Sequence, residues 1–164
     1  MVQKLKLNPN RCYLLGLYEC GSKDLINLKT SDDELAEKFI KLITSEFEIK
    51  PGKLHIEKKE NLNVITLYNS KLKKLFDRSL ERKFFIFKYL NEYSSAYFAA
   101  IFDYNGGKTG NGRIYVNRLD AGDSLLLEKL NIHSTGKNKS FILNPNLFIA
   151  LIKGYSLKVA RVIH

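Results

Sequence analysis

Two short apolar stretches of this chain look like copies of one another. Leu14-Leu15-Gly16-Leu17-Tyr18-Glu19-Cys20-Gly21 lies near the start, and Phe98-Ala99-Ala100-Ile101-Phe102-Asp103-Tyr104-Asn105-Gly106 lies past the middle. Each reads as a helical segment with small residues that ends in a polar residue and a glycine, a common helix stop. Matched from their starts, Leu14 to Tyr18 fall on Phe98 to Phe102. Gly16, Ala99 and Ala100 are then small where two helices can approach closely. One such segment is an ordinary buried helix. Two, with Gly21 and Gly106 standing 85 positions apart and similar patterns after each, point to a duplicated unit.

The flanking elements repeat as well. Asn8-Pro9 caps and opens the first helix. Residues 24–29 read as a short strand, with Ile26 and Leu28 on one face and Asn27 and Lys29 on the other. Ser31-Asp32-Asp33-Glu34 reads as a capping box before Leu35, Phe39, Leu42, Ile43 and Phe47 at helical spacing. Residues 53–59 and 63–68 form a hairpin around Glu60-Asn61-Leu62, and Ser70 caps a third helix. Residues 83–92 are aromatic, resist assignment and link the halves. Ser94 or Ser95 caps the helix of the second motif. A glycine-rich stretch, a strand over 113–118 and a helix from Gly122-Asp123 follow. A hairpin turning at Gly136-Lys137-Asn138 and a last helix opened by Asn144-Pro145 complete the pattern. The tail, 155–164, takes no assignment. The expected class is α+β, one compact domain built of repeats over 1–90 and 91–164, the first shortened after its motif.

Formal charge is +10 and the sequence pI about 9.5, an excess that favours a polyanionic partner. Residues 1–95 and 96–164 each carry a net +5, so the second half is the more basic per residue. Cys12 and Cys20, eight apart, match neither zinc spacing nor a disulfide scaffold. On one helix they stand roughly 12 Å apart, too far to bridge. No apolar run reaches the roughly 20 residues of a membrane span, and the first eight residues hold no apolar signal core. A cytoplasmic, nucleoid-associated protein is expected. Gly106-Gly107-Lys108-Thr109 is similar to the end of a phosphate-binding loop, but Phe102 stands where the first glycine belongs and the segment follows a helix. His55, His133 and His164 are scattered and suggest neither a metal site nor a triad, His133 being expected to pack or to make one hydrogen bond.

Both stretches resemble the LAGLIDADG motif of homing endonucleases, and the segment 28–39 resembles archaeal and intein-type members of that family. The resemblance covers nearly the whole chain. It implies two pseudo-symmetric αββαββα-like repeats in one monomeric chain, with antiparallel sheets forming a saddle for double-stranded DNA. In the family, the residue before the terminal glycine is an acid that binds the catalytic metal. Here those positions hold Cys20 and Asn105. A neutral amide and a soft thiol are poor ligands for magnesium. The first motif is also one residue shorter than the family's. A one-residue shift brings Glu19 toward the acid position, but turns it about 100° around the helix. Asp103 matches an earlier acid of the motif that is generally structural. Glu19 and Asp103 are therefore the two carboxylates that can rescue metal binding.

The reading that results is a DNA-binding protein whose cutting is lost, with no cofactor, Mg²⁺ being required only if nuclease activity survives. An active or nicking endonuclease using Glu19 or Asp103 is the first alternative. A maturase-like factor with RNA as partner is the second. In the family, strands lie in the major groove. Arg113, Tyr115 and Asn117 alternate with Ile114 and Val116 and form the candidate reading face. Arg118, Lys108, Lys137 and Lys139 are candidates for phosphates, and Lys23, Asn27 and Lys29 are the first-half equivalents. The segment after the first motif is short, so one strand of the usual hairpin is expected to be missing there.

Overall fold

The computed structural model describes residues 3–162; His164 lies outside them, as do Met1 and Val2. Helix α1 (Pro9–Cys20) starts where the Asn8 side chain accepts the Arg11 N–H and Pro9 fills a position that needs no donor. Then come β1 (Ile26–Thr30), α2 (Asp33–Glu46), a 3-10 turn (Pro51–Lys53), β2 (Leu54–Lys59), β3 (Leu62–Leu67) and α3 (Ser70–Glu81). A short helix, α4 (Lys83–Phe87), crosses to α5 (Glu92–Asn105). β4 (Gly106–Lys108), β5 (Ile114–Asn117), α6 (Ala121–Lys129), β6 (Ser134–Thr135), β7 (Lys139–Ile142), α7 (Pro145–Ile152) and α8 (Val159–Val162) complete the chain.

The strands form two antiparallel sheets, ordered β1-β3-β2 and β4-β5-β7-β6. Alternation along each strand sends Ile26, Leu28, Ile65 and Leu67, and in the second sheet Ile114, Val116 and Ile142, into the core. The first sheet has one strand fewer. Among the described residues β1 pairs with β3 alone, whereas β5 in the second sheet also pairs with β4. The short segment after the first motif leaves no room for the extra strand.

Helices α1 and α5 pack against one another at the centre. A Cβ on Gly16 would lie 2.4 Å from the Tyr97 carbonyl oxygen and 2.8 Å from the Ala100 Cβ, so only glycine fits there. Ala96, Ala99 and Ala100 on the facing helix are fully buried. Phe98 and Phe102 fill the core beside them, each such burial contributing roughly 1.5–3 kcal/mol.

Several helix starts differ from those expected. Asp32, not Ser31, caps α2, accepting from the Glu34 and Leu35 N–H groups. Asn69, not Ser70, caps α3, and Asn91 caps α5 with Ser94 completing a capping box from the third position. Asp120 caps α6, so the helix begins before Gly122. In each case a short acid or amide stands immediately before the first helical residue, and its planar side-chain oxygen accepts from the free N–H groups. Asn144 stands at the N-cap of α7, as expected, but its side chain makes no capping bond. Its side chain accepts the His133 N–H and donates to the Asn131 carbonyl, holding the approach to β6. The His133 side chain does not pack but is exposed. Residues 83–87 are helical because Phe87 is fully buried and stacks on Tyr97 with ring centroids 4.1 Å apart. The tail folds back as α8 onto α5.

Candidate functional site

The two motif helices end side by side, α1 at Cys20 and α5 at Asn105. The ends are not equal. The Gly106 N–H donates to the Phe102 carbonyl four residues back, whereas the Gly21 N–H donates to the Tyr18 carbonyl three back. A tighter last turn thus absorbs the missing residue of the first motif. The Asn105 side chain lies against the Cys20 thiol and favours its thiolate. Burial, followed by the charges of Asp123 and Glu19, outweighs this and drives the thiol well above its ordinary pKa. A protonated thiol and a neutral amide do not fit a hard divalent cation.

Glu19 and Asp103 occupy matching places on the two helices and are both engaged. Asp103 is buried and accepts four hydrogen bonds: from the Tyr13 hydroxyl (2.5 Å), the Ser156 hydroxyl (2.5 Å) and the N–H groups of Leu157 and Lys158 (2.9 Å each). It thereby holds the turn that opens α8 against α5. Glu19 points sideways. The Lys23 ammonium donates to it at 2.6 Å and the Lys83 ammonium lies 3.7 Å away.

Lys83, at the start of α4, is the centre of a cluster that sequence reasoning missed. Its ammonium also stands 2.7 Å from Asp120 and 3.1 Å from Asp123, and Asp123 accepts the Tyr97 hydroxyl at 2.8 Å. Burial opposes the Lys83 charge, but Asp123, Asp120 and Glu19 outweigh it and hold the ammonium above the ordinary lysine pKa. Burial pushes the Asp123 carboxyl up to about 6 although Lys83 and Tyr97 pull it down. One oxygen each of Glu19, Asp120 and Asp123 falls within 4.8 Å of the others, spacing that would suit a metal ion. The lysine supplies that positive charge instead. Asp123 and Lys83 gave no signal in the sequence because they come from segments 40 residues apart that only the fold joins.

The outer faces of the sheets extend from the helix ends. In the second sheet Arg113, Tyr115 and Asn117 do alternate outward, and Lys139 joins them from β7. The Lys139 ammonium sits 4.2 Å from the Tyr115 ring centre and the Arg113 guanidinium 3.9 Å from that of Phe141. Phe141 was missed, although it alternates with buried Ser140 and Ile142. Asn117 and Arg118 line a hollow of about 490 Å³ with Tyr104, Asn105 and Asn138, directly beside the foot of α5. Lys108 bends away to the Val162 carbonyl, and Lys137 is exposed in the hairpin turn. In the first sheet Asn27 lies under Gly21, and Lys29 is exposed one pleat further out. Register adds His55, Glu57 and Lys59 to this outer face, and Glu57 pairs with both of the others.

Paired small-residue helices, each followed by an antiparallel sheet, define a class: this is the single-chain, two-motif fold of the LAGLIDADG homing endonucleases. The structures it is similar to include those of the homing endonuclease I-DmoI. Mesophilic variants of I-DmoI match with a TM-score of 0.70 over 89% of this chain and 96% of that one, at 18% identity. I-DmoI in complex with DNA and Mn matches with a TM-score of 0.68 over 88% and 96%, at 17% identity. I-DmoI in complex with DNA and Ca matches at 0.68 over 95% and 97%, at 18% identity. No protein-family model matches the sequence, and no curated protein does. Among the described residues no helix is long and apolar enough to cross a membrane.

Proposed function

We propose that this protein binds duplex DNA across the outer faces of its two sheets, as a monomer with repeats over 1–90 and 91–164, and does not cut it efficiently. The observation that carries the binding half is the outer face of the second sheet. Arg113, Asn117 and Lys139 stand together there with Tyr115 and Phe141 holding two of the cations, and the face runs up to the ends of the paired helices. Such an array suits groove edges and phosphates. That I-DmoI has been solved with its target DNA supports the same reading. Loss of cutting is supported by the donor set at the helix ends, a protonated thiol and an amide, and by the full engagement of Asp103 with hydrogen-bond donors.

Fluorescence anisotropy on random duplex DNA across a salt series tests the binding. Affinity is expected to fall steeply with salt, with a slope reporting roughly 4 or more phosphate contacts. Replacing Arg113 and Lys139 by Ala should reduce that slope by about 1 to 2. No binding at low salt overturns the proposal, and preference for structured RNA in competition replaces it with the maturase-like reading. For cleavage, supercoiled plasmid with Mg²⁺ should stay closed. Nicking that disappears in Glu19→Gln would establish the endonuclease alternative. Cys20→Asp with Asn105→Asp should gain magnesium binding by calorimetry, and no gain counts against Cys20 and Asn105 as the lost ligand positions.

A further inference from the structure

The hollow of about 490 Å³ at the foot of α5 is lined by Tyr104, Asn105, Asn117, Arg118 and Asn138. Every one of these side chains can donate a hydrogen bond, and none is acidic. Burial raises the Tyr104 phenol above its ordinary pKa although the Arg118 charge pulls it down, so the hydroxyl keeps its proton. Among the described residues Tyr104, Asn117, Arg118 and Asn138 give their side-chain donors to no other group of the protein, and Arg118 makes no salt bridge. Arg118 also stands in the left-handed region, at φ 51°, where its N–H donates to the Asn138 carbonyl at 2.7 Å. That backbone is unfavourable for a long side chain, and such positions gather at ligand sites. The acids of the Lys83 cluster are turned elsewhere. Glu19 and Asp120 line a separate hollow with Lys23 and Lys83, and Asp123 lies 3.1 Å from Lys83.

We infer that this hollow holds a backbone phosphate of duplex DNA directly, with no metal ion between them. The inference rests on the DNA binding proposed above and says where one strand is gripped. A carboxylate at position 105 would repel a phosphate and need a cation to bridge the two. Asn105 removes that charge, and its amide carries two N–H donors. Contact with the Cys20 thiol leaves at least one of them for the phosphate. Arg118 supplies the positive charge and Tyr104 a further donor, and hydrogen bonds from an ionised donor are the strong ones. The carbonyl end of α5 is itself unfavourable to an anion. Lys158 offsets it, its ammonium donating to the Gly106 carbonyl at 2.6 Å. The first repeat has no equivalent. Counting back two residues from the helix caps Asp120 and Asp32, Thr30 stands where Arg118 does, and its hydroxyl accepts the Asp32 N–H. The end of α1 meets the charges of Asp123 and Glu19 instead. The grip is therefore one-sided, on the strand that passes α5.

The test is fluorescence anisotropy with a labelled random duplex, in EDTA and in Mg²⁺ at matched ionic strength. The parent is expected to bind in EDTA, with no gain from Mg²⁺. Asn105→Asp should bind about tenfold more weakly in EDTA and regain most of that loss in Mg²⁺. Arg118→Asn should also lose about tenfold, with the salt slope lower by about 1. Asparagine tolerates the left-handed backbone, so this variant should unfold in urea no earlier than the parent, and its weaker binding then reports the lost contact. Earlier unfolding would make Arg118 a structural residue and overturn its part. If Asn105→Asp is not folded by circular dichroism, Arg118→Asn decides alone. A parent that binds no DNA at low salt overturns the DNA reading and this inference with it. A parent that binds only in Mg²⁺, variants that match the parent in EDTA, or an Asn105→Asp loss that Mg²⁺ does not repair each overturn the inference and leave the DNA reading standing. Inorganic phosphate bound at sub-millimolar concentration by the parent and lost in Arg118→Asn, by calorimetry, assigns the hollow to free phosphate and overturns it too.

Discussion

Glu19 and Asp103 stand at matching positions of the two central helices, yet the protein treats them in opposite ways. Asp103 receives neutral donors only: two hydroxyls and two backbone N–H groups, three of the four from the returning tail. Glu19 receives ammonium groups, and Tyr97 of α5, which matches Tyr13 of α1, bonds Asp123 instead. One half of the molecule therefore solves a buried carboxylate with dipoles, and the other with a counter-charge shared among three acids. Dipoles fix geometry, because each hydrogen bond has a direction. A lysine among three carboxylates fixes charge and leaves the geometry looser. This contrast coincides with what each acid secures: a terminal helix in one case, and the crossing between repeats in the other.

The contrast can be broken from either side. Asp103→Ala has the largest expected effect, roughly 4 kcal/mol lost in urea denaturation, since it strips four donors of one acceptor in the interior. It should also expose the tail beyond residue 155 to limited proteolysis before the rest of the chain; protection of the tail would argue against the anchoring role. Lys83→Met comes next, at roughly 3 kcal/mol, because it removes the counter-charge of Asp123 in a buried site and leaves that carboxylate with the Tyr97 hydroxyl but no cation. Adding Asp123→Asn to that variant should recover more than half of the loss. Without recovery, Lys83 acts by packing and the counter-charge account fails.

The smallest effect sharpens the comparison by pH. Burial holds the folded Asp123 carboxyl at about 6, above the ordinary aspartate range, so the folded chain binds this proton the more tightly. The penalty of the ionised form is complete above pH 6 and fades as pH falls from 6 toward 4. The parent should gain stability over that descent relative to Asp123→Asn, by no more than about 1.4 kcal/mol per pH unit. Asp32, Asp77, Asp120 and Glu46 are depressed and act in the opposite sense at lower pH, which is why the variant is the reference.

The fold was legible because its signal is local and repeated. Gly16, Ala99 and Ala100 mark the helix contact, and the period-two alternation in 26–29 and 113–117 marks the outward strand faces. The missing strand followed from counting residues between Gly21 and Ser31. Helix caps lie one to four residues upstream of the serine that the sequence suggests where Asn precedes it, as at Asn69 and Asn91. The Lys83 cluster could not be read, because its members come from four elements and each alone looks like an ordinary surface charge. For residues 83–87 the obstacle was different: the segment is too short and too uniformly apolar to show a period, and Phe87 finds its place only against Tyr97.

The absent partner of β1 has a consequence of its own. Neighbouring strands lie roughly 4.8 Å apart, so the first sheet is narrower than the second by about one strand, on the order of one and a half base pairs along a duplex. A body with two equal halves can sit on DNA either way round. This one has a heading: under the DNA binding proposed above, its long side and its short side are told apart, and a preferred sequence should read differently in the two directions rather than as a palindrome.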